Sequence, residues 1–142
     1  MVRQGGGRSI SQLLPIIVQA IYLYEKSNIR KGLILVEQPE LHLHPNLQAK
    51  IADFILRKSQ PNENKEGVQW IIETHSESLI RRLQKRVKEK LIKPEDISFL
   101  YVDKIDSIGS VIKRLRLDED GDFIDSWPNG FFVDAFSDLL GD

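Results

Sequence analysis

Cysteine is absent from the 142 residues, so neither a disulfide nor a thiolate metal site is available. That absence fits a reducing compartment. No basic segment leads into an apolar stretch near Met1, so a cytoplasmic location is the expectation. No apolar run reaches bilayer-spanning length, and no membrane partner is expected. An excess of one charge is also lacking. Twenty basic side chains stand against 21 acidic ones, and a net charge of −1 gives nucleic acid no global support as a partner. The local exception, Arg81-Arg82-Leu83-Gln84-Lys85-Arg86-Val87-Lys88, reads as a solvated helix face rather than a phosphate-binding surface. There is no internal repeat, and Gly5-Gly6-Gly7 is the one low-complexity tract.

What remains is a chain of ordinary globular composition, 41% hydrophobic and 29% charged, long enough to bury a core. The segment before Ser9 reads as a loop. Leu13, Ile16, Ile17, Ala20, Ile21 and Tyr24 follow the helical period, with Leu14 and Val18 widening the apolar face, and predict a largely buried helix over 11–24. Ser11 would cap it, which leaves Pro15 in the first turn, where proline is tolerated. The continuous apolar run at 33–36 predicts a central strand covered on both faces, and 68–72 predicts the next buried strand. Between them a helix begins near Pro45, with Leu47, Ile51, Phe54 and Ile55 in one stripe, followed by a polar loop over 61–67. A third helix carries Leu79, Ile80, Leu83, Val87 and Leu91. Thr74 and Glu77 have capping-box spacing, and Ser76 is the alternative cap. Helix, strand, helix, strand, helix implies parallel strands joined by right-handed crossovers. After Pro94 the pattern changes to strands at 97–102 and 111–117 around a Gly109 loop, forming an antiparallel unit. A turn at 118–122, a short strand at Phe123-Ile124, a turn at 127–130 and a short helix over 131–140 complete the chain.

Two strand ends carry candidate chemistry. Leu33-Ile34-Leu35-Val36-Glu37-Gln38-Pro39-Glu40 delivers carboxylates at the carboxyl end of a buried strand, where open α/β sheets place ligands. An acid there holds Mg²⁺ through water, or simply begins a polar loop. Trp70-Ile71-Ile72-Glu73-Thr74-His75-Ser76 repeats the arrangement with a histidine at a helix start. A neutral imidazole there would meet a γ-phosphate or an attacking water, or sit at the surface beside a cap. Glu40, His42 and His44 offer a transition metal too few ligands at recognised spacing. Asp118 and Asp120, taken with Glu37, have the scatter of a two-metal nuclease, but Asp120-Gly121 is first a turn signal. No G-x-x-x-x-G-K-[ST] phosphate loop occurs anywhere, and Gly5-Gly6-Gly7-Arg8-Ser9 does not replace it.

Four stretches together resemble predicted ATPases of the AAA/ABC-type class, in the branch of overcoming-lysogenization-defect and structural-maintenance-like ATPases. The likeness is to the C-terminal half of the subgroup that ends in a domain of unknown function (DUF 3696). Gly7-Arg8-Ser9-Ile10-Ser11-Gln12-Leu13-Leu14-Pro15 is similar to the signature-like segment, although the family usually has glycine at Ser9 and an aromatic at Arg8. The run from Val36 to Pro45 matches the Walker B and D-loop block, and Glu73-Thr74-His75-Ser76-Glu77 the switch-histidine block. Leu117-Asp118-Glu119-Asp120-Gly121 with Trp127-Pro128-Asn129-Gly130-Phe131-Phe132 resembles the terminal domain.

The resemblance implies a three-layer, partial P-loop NTPase core of ABC type with parallel strands over 1–93. A small antiparallel domain with a C-terminal helix would follow over 94–142. It makes Glu37 the Walker B acid near Mg²⁺ and His75 the switch histidine. Gln38 falls where a catalytic glutamate usually stands; an amide cannot act as a base and would at most orient water. His44 would lie in the D-loop between subunits, and Ser11 would cap a helix aimed at the γ-phosphate of the opposite subunit. The implied cofactors are ATP and Mg²⁺. The implied partners are an N-terminal ATPase half, a second ATPase subunit or a homodimeric copy, with Walker A supplied by them and no hydrolysis by the chain alone. A non-catalytic module that binds an ATPase or nucleic acid, and a metal-dependent nuclease, are the alternative readings.

Overall fold

Alternation governs the two short strands. In β1 (Gly32–Glu37) Gly32 and Ile34 are buried, Val36 is half-buried, and Leu33, Leu35 and Glu37 are exposed. In β2 (Val68–Glu73) Val68, Trp70 and Ile72 turn inward, while Gln69, Ile71 and Glu73 turn outward. The computed structural model describes residues 7–26, 32–63, 66–105 and 109–128. The two strands pair in parallel, in register from Gly32↔Val68 to Glu37↔Glu73. The chain divides between Arg82 and Leu83 into two compact units.

In the first unit, α1 (Gly7–Ile21) and α2 (Pro45–Ser59) accompany the sheet, together with the first turns of α3 (Glu77–Lys88). Ala20, Ile34 and Val68 form the buried centre, with Leu23, Val36, Phe54 and Trp70 against them. Burial of Ile34 and Val68 stabilises the unit by roughly 1.5–3 kcal/mol each. Phe54 meets Trp70 edge to face at 6.3 Å, which locks α2 onto β2. Asp53 and Arg82 form a forked ion pair, with Nη2 to Oδ2 at 2.7 Å, tying α2 to α3. The opposite sheet face is bare among the described residues: Leu33, Leu35 and Ile71 are 49%, 68% and 55% exposed. Among the described residues, therefore, one of the two faces expected to be covered is covered.

The expected start of α1 is also corrected. The helix begins at Gly7, not Ser11; in the sequence Ile10, Leu13, Leu14 and Ile17 already keep the helical spacing. Ser11 is thus a helix-interior residue rather than a cap, and Pro15 lies in mid-helix, where its missing N–H removes the partner of the Ser11 carbonyl. Past Ile21 the chain widens into a π-helical turn, Tyr22–Lys26. Lys58 steadies this turn by pairing with Glu25 at 2.9 Å and lying 4.5 Å over the Tyr24 ring. Leu14 and Val18 are exposed, so α1 is not largely buried.

The second unit holds an antiparallel pair, β3 (Phe99–Ile105) and β4 (Gly109–Leu115). The pairing is as expected, but both strands are shifted and Gly109 opens β4 instead of lying in the loop. Leu91, expected on the α3 stripe, falls beyond the helix and is exposed. Val87, Ile92, Leu115 and Leu117 are buried. Edge-to-face contacts link Phe99 to Phe123, Phe123 to Trp127 and Trp127 to Tyr101, at 5.2, 5.0 and 6.2 Å. Asp118 Oδ1 accepts from the amides of Asp120 and Asp122, both at 2.9 Å, closing the turn that brings Phe123 back to bridge Leu117. Phe123-Ile124 contributes this single bridge rather than a strand. The expected helix over 131–140 and the second half of the 127–130 turn lie outside the described residues.

Arg116 donates to the Asp125 carboxylate from its side chain and its backbone N–H, and these bonds hold the carboxyl at about 2, below its ordinary 3.8. A depressed acid stabilises the fold fully above its ordinary value and loses that contribution as pH falls through the native one. The Asp125 carboxyl should therefore titrate near pH 2 by NMR, and Asp125→Asn should flatten the fall in stability between pH 4 and 2 (roughly). Gly121 supplies a second test. It has φ +80°, and a Cβ there would lie 2.3 Å from the Gln84 carbonyl oxygen; Gly109 has φ +93° with open space around it. Gly121→Ala should cost about 2–4 kcal/mol, from conformational strain plus a backbone clash, and Gly109→Ala only about 1–2 kcal/mol. Equal losses in urea denaturation would refute this packing account.

Candidate functional site

Parallel pairing brings the carboxyl ends of β1 and β2 together. The ladder closes at Glu37↔Glu73, and Gln38 N–H continues it by donating to the Glu73 carbonyl at 2.8 Å. Gln38 takes up a left-handed conformation with φ 45°, which turns the chain off the sheet. Pro39 follows, and two successive turns close with Leu41 N–H on the Gln38 carbonyl and Leu43 N–H on the Glu40 carbonyl, at 3.1 and 2.9 Å. His42, at φ 63°, is the second left-handed residue of this loop.

The histidine-bearing loop is bonded to this one. His75 N–H donates to Glu40 Oε1 at 2.8 Å. Ser76 Oγ donates to Gln48 Oε1 at 2.7 Å, and Gln48 Nε2 donates to the Leu43 carbonyl at 2.9 Å. Ser76 Oγ also accepts from Leu79 N–H at 3.0 Å, so Ser76 is the cap of α3. Thr74 instead accepts from Ser76 N–H. An open cleft of about 390 Å³ lies between the loops, lined by Gln38, Glu40, His42, Gln48 and His75.

Glu37, Gln38, Glu73 and His75 are therefore gathered at one end of one sheet, with the side chains of Glu37, Glu73 and His75 exposed. His44 stands apart at the start of α2, where its Nδ1 accepts from Asn46 N–H at 3.3 Å and Pro45 occupies the first helical position. The side chain of Ser11 lies outside the described set. Among the described residues no group of three His, Cys, Asp or Glu side chains has metal-binding geometry. In the Glu40, His42 and His44 trio, Glu40 Oε1 and His44 Nδ1 accept backbone N–H groups. Asp118 is occupied with its own turn.

With this geometry in place, two family models account for most of the sequence. One described as an AAA ATPase domain matches residues 4–80, more than half of the chain. This chain belongs to the AAA ATPase domain family. A second, described as a protein of unknown function (DUF3696), matches residues 92–140, so an AAA-type part is followed by a DUF3696 domain. No curated protein and no solved structure matches the chain. The AAA ATPase match contains every candidate site residue: Ser11, Glu37, Gln38, His44 and His75. No helix among the described residues is long and apolar enough to cross a membrane.

Sequence reasoning missed Gln48, and it weighed Glu40 as a strand-end acid and a metal ligand but not as the acceptor of the His75 amide. Glu40 is 8% exposed, and its partner lies 35 residues away. Its one local signal is a charged residue placed between Pro39 and Leu41. Ser76 ties the site together as well as capping α3. Ser76→Ala should therefore cost about 1–2 kcal/mol, and Thr74→Ala less than half of that. Urea denaturation of the two variants decides this, and equal losses would show that the Ser76 hydroxyl is not the cap.

Proposed function

We propose that this AAA ATPase-family chain contributes Glu37 and His75 to an ATP-hydrolysing site whose phosphate loop comes from outside these 142 residues. One observation carries the reading: the acid-bearing and histidine-bearing loops meet at the carboxyl end of a parallel sheet and are bonded to each other. Open α/β sheets bind ligands at that edge.

The donor set suits Mg²⁺. Glu37 and Glu73 stand at paired register positions on the exposed face, and two hard carboxylates side by side favour an oxygen-seeking cation that keeps its waters. Mg²⁺ held there would supply positive charge against the charge that develops on the phosphates. Glu37 would hold it through water. His75, exposed at the loop apex, would donate to the γ-phosphate or align the attacking water. Gln38 would orient that water without taking its proton, since an amide is no base at neutral pH.

The bare sheet face supports the same reading. Parallel sheets are ordinarily covered on both sides, and among the described residues nothing covers Leu33, Leu35 and Ile71, so a further layer would fit there. A three-layer core would follow, built from 1–93 with the phosphate-loop polypeptide or a second ATPase subunit, and 94–142 would form the terminal domain. His44 and Ser11 would then lie toward the second subunit, in a homodimer or with a related chain.

Phosphate release with Mg²⁺ and ATP tests the proposal. The chain alone should show no turnover above background. Added to a polypeptide carrying Walker A, it should restore hydrolysis. Glu37→Ala should then lower the rate by about 10²–10³-fold and His75→Ala by about 10–10²-fold. Robust turnover by the chain alone, abolished by Glu37→Ala, would mean that phosphate is held without a Walker A loop.

A further inference from the structure

Glu40 is a buried carboxylate to which the ATP-site reading gives no task. Its Oε1 accepts from His75 N–H at 2.8 Å, while Oε2 is buried with no hydrogen-bond partner among the described residues. A carboxylate taken out of water with one oxygen unsatisfied is a poor source of stability. Its location shows another use. Two residues before it, Gln38 N–H bonds the Glu73 carbonyl, and two residues after Glu73 comes the His75 amide that Glu40 holds. The loops are thus fastened at two points. The turns around Glu40, closed on the Gln38 and Glu40 carbonyls, fix where its side chain leaves the backbone.

We propose that Glu40 is a positioning residue that couples the Glu37 loop to the His75 loop. It sets the backbone from which the histidine projects, so displacement of one loop is carried to the other. This rests on the ATP-site reading for its catalytic consequence, but the coupling itself is a property of the chain alone.

Amide hydrogen exchange of the isolated chain reads the coupling. In Glu40→Ala the His75 amide should exchange about tenfold faster or more, as when a hydrogen bond to a charged acceptor is lost. The amides of Ile34 and Ile71 should stay within about twofold. Glu40→Gln keeps an acceptor oxygen and should hold the His75 amide within about threefold of the native rate. If Glu40→Ala fails to fold, Glu40→Asp serves, because its shorter side chain withdraws the same charge from the amide and should accelerate exchange there selectively. An unchanged His75 amide, or equal acceleration at every amide, overturns the proposal. In the assembled ATPase, Glu40→Ala should lower kcat with little change in KM for ATP, Glu40→Gln should recover most of it, and His75→Ala added to Glu40→Ala should lower it little further. Selective exchange without any effect on kcat would overturn the positioning role. An assembly silent even with the native chain would reject the ATP-site reading and leave the exchange result to decide the coupling.

Discussion

A parallel ladder delivers both of its strands' carboxyl ends to the same side, and here it runs in register from Gly32↔Val68 to Glu37↔Glu73. Everything at the site depends on that register. Because side chains alternate across a strand, a slip of one residue would bury Glu37 and expose Ile34 and Val36. The aliphatic core forbids the slip: Ala20, Ile34 and Val68 exclude water together, and Trp70 packs on Phe54. The placement of the carboxylates thus follows from apolar packing several residues upstream, with no hydrogen bond to the Glu37 or Glu73 side chain among the described residues.

Polar bonds then do what packing cannot. Once the strands end, the chain leaves the sheet through a left-handed Gln38, and packing reaches its loop at buried Pro39 and Leu43. Glu40, Gln48 and Ser76 take over, linking the two loops to each other and to α2 through the Gln48 side chain. Ser76 serves that set and the α3 cap with a single hydroxyl, donating to Gln48 and accepting from Leu79.

The legible parts of the sequence were those governed by local periodicity. The strand runs, the α2 stripe and the antiparallel pair after Pro94 were readable because alternation and the 3.6 period are properties of neighbouring residues. Ends were less readable. Ser11 looked like a cap because Pro15 is usually confined to a first turn, yet the apolar stripe continues to Ile10 and the helix bears the interior proline. The Glu37, Gln38 and His75 cluster was legible once the strands were read as parallel. Glu40 was not, since no local pattern pairs a side chain with an amide 35 positions later.

Alternation has one more consequence for the acids. Glu37 lies on the same sheet face as Leu33 and Leu35, and Glu73 on the same face as Ile71. The bare apolar surface and the two carboxylates are therefore one continuous face, apolar at its centre and acidic at its carboxyl rim. A layer that covers Leu33, Leu35 and Ile71 removes water from the surroundings of Glu37 and Glu73 as well. Repulsion between carboxylates at paired positions grows as water is withdrawn, and a cation or basic group carried by such a layer would offset it. The hydrolysis reading puts Mg²⁺ at this same edge.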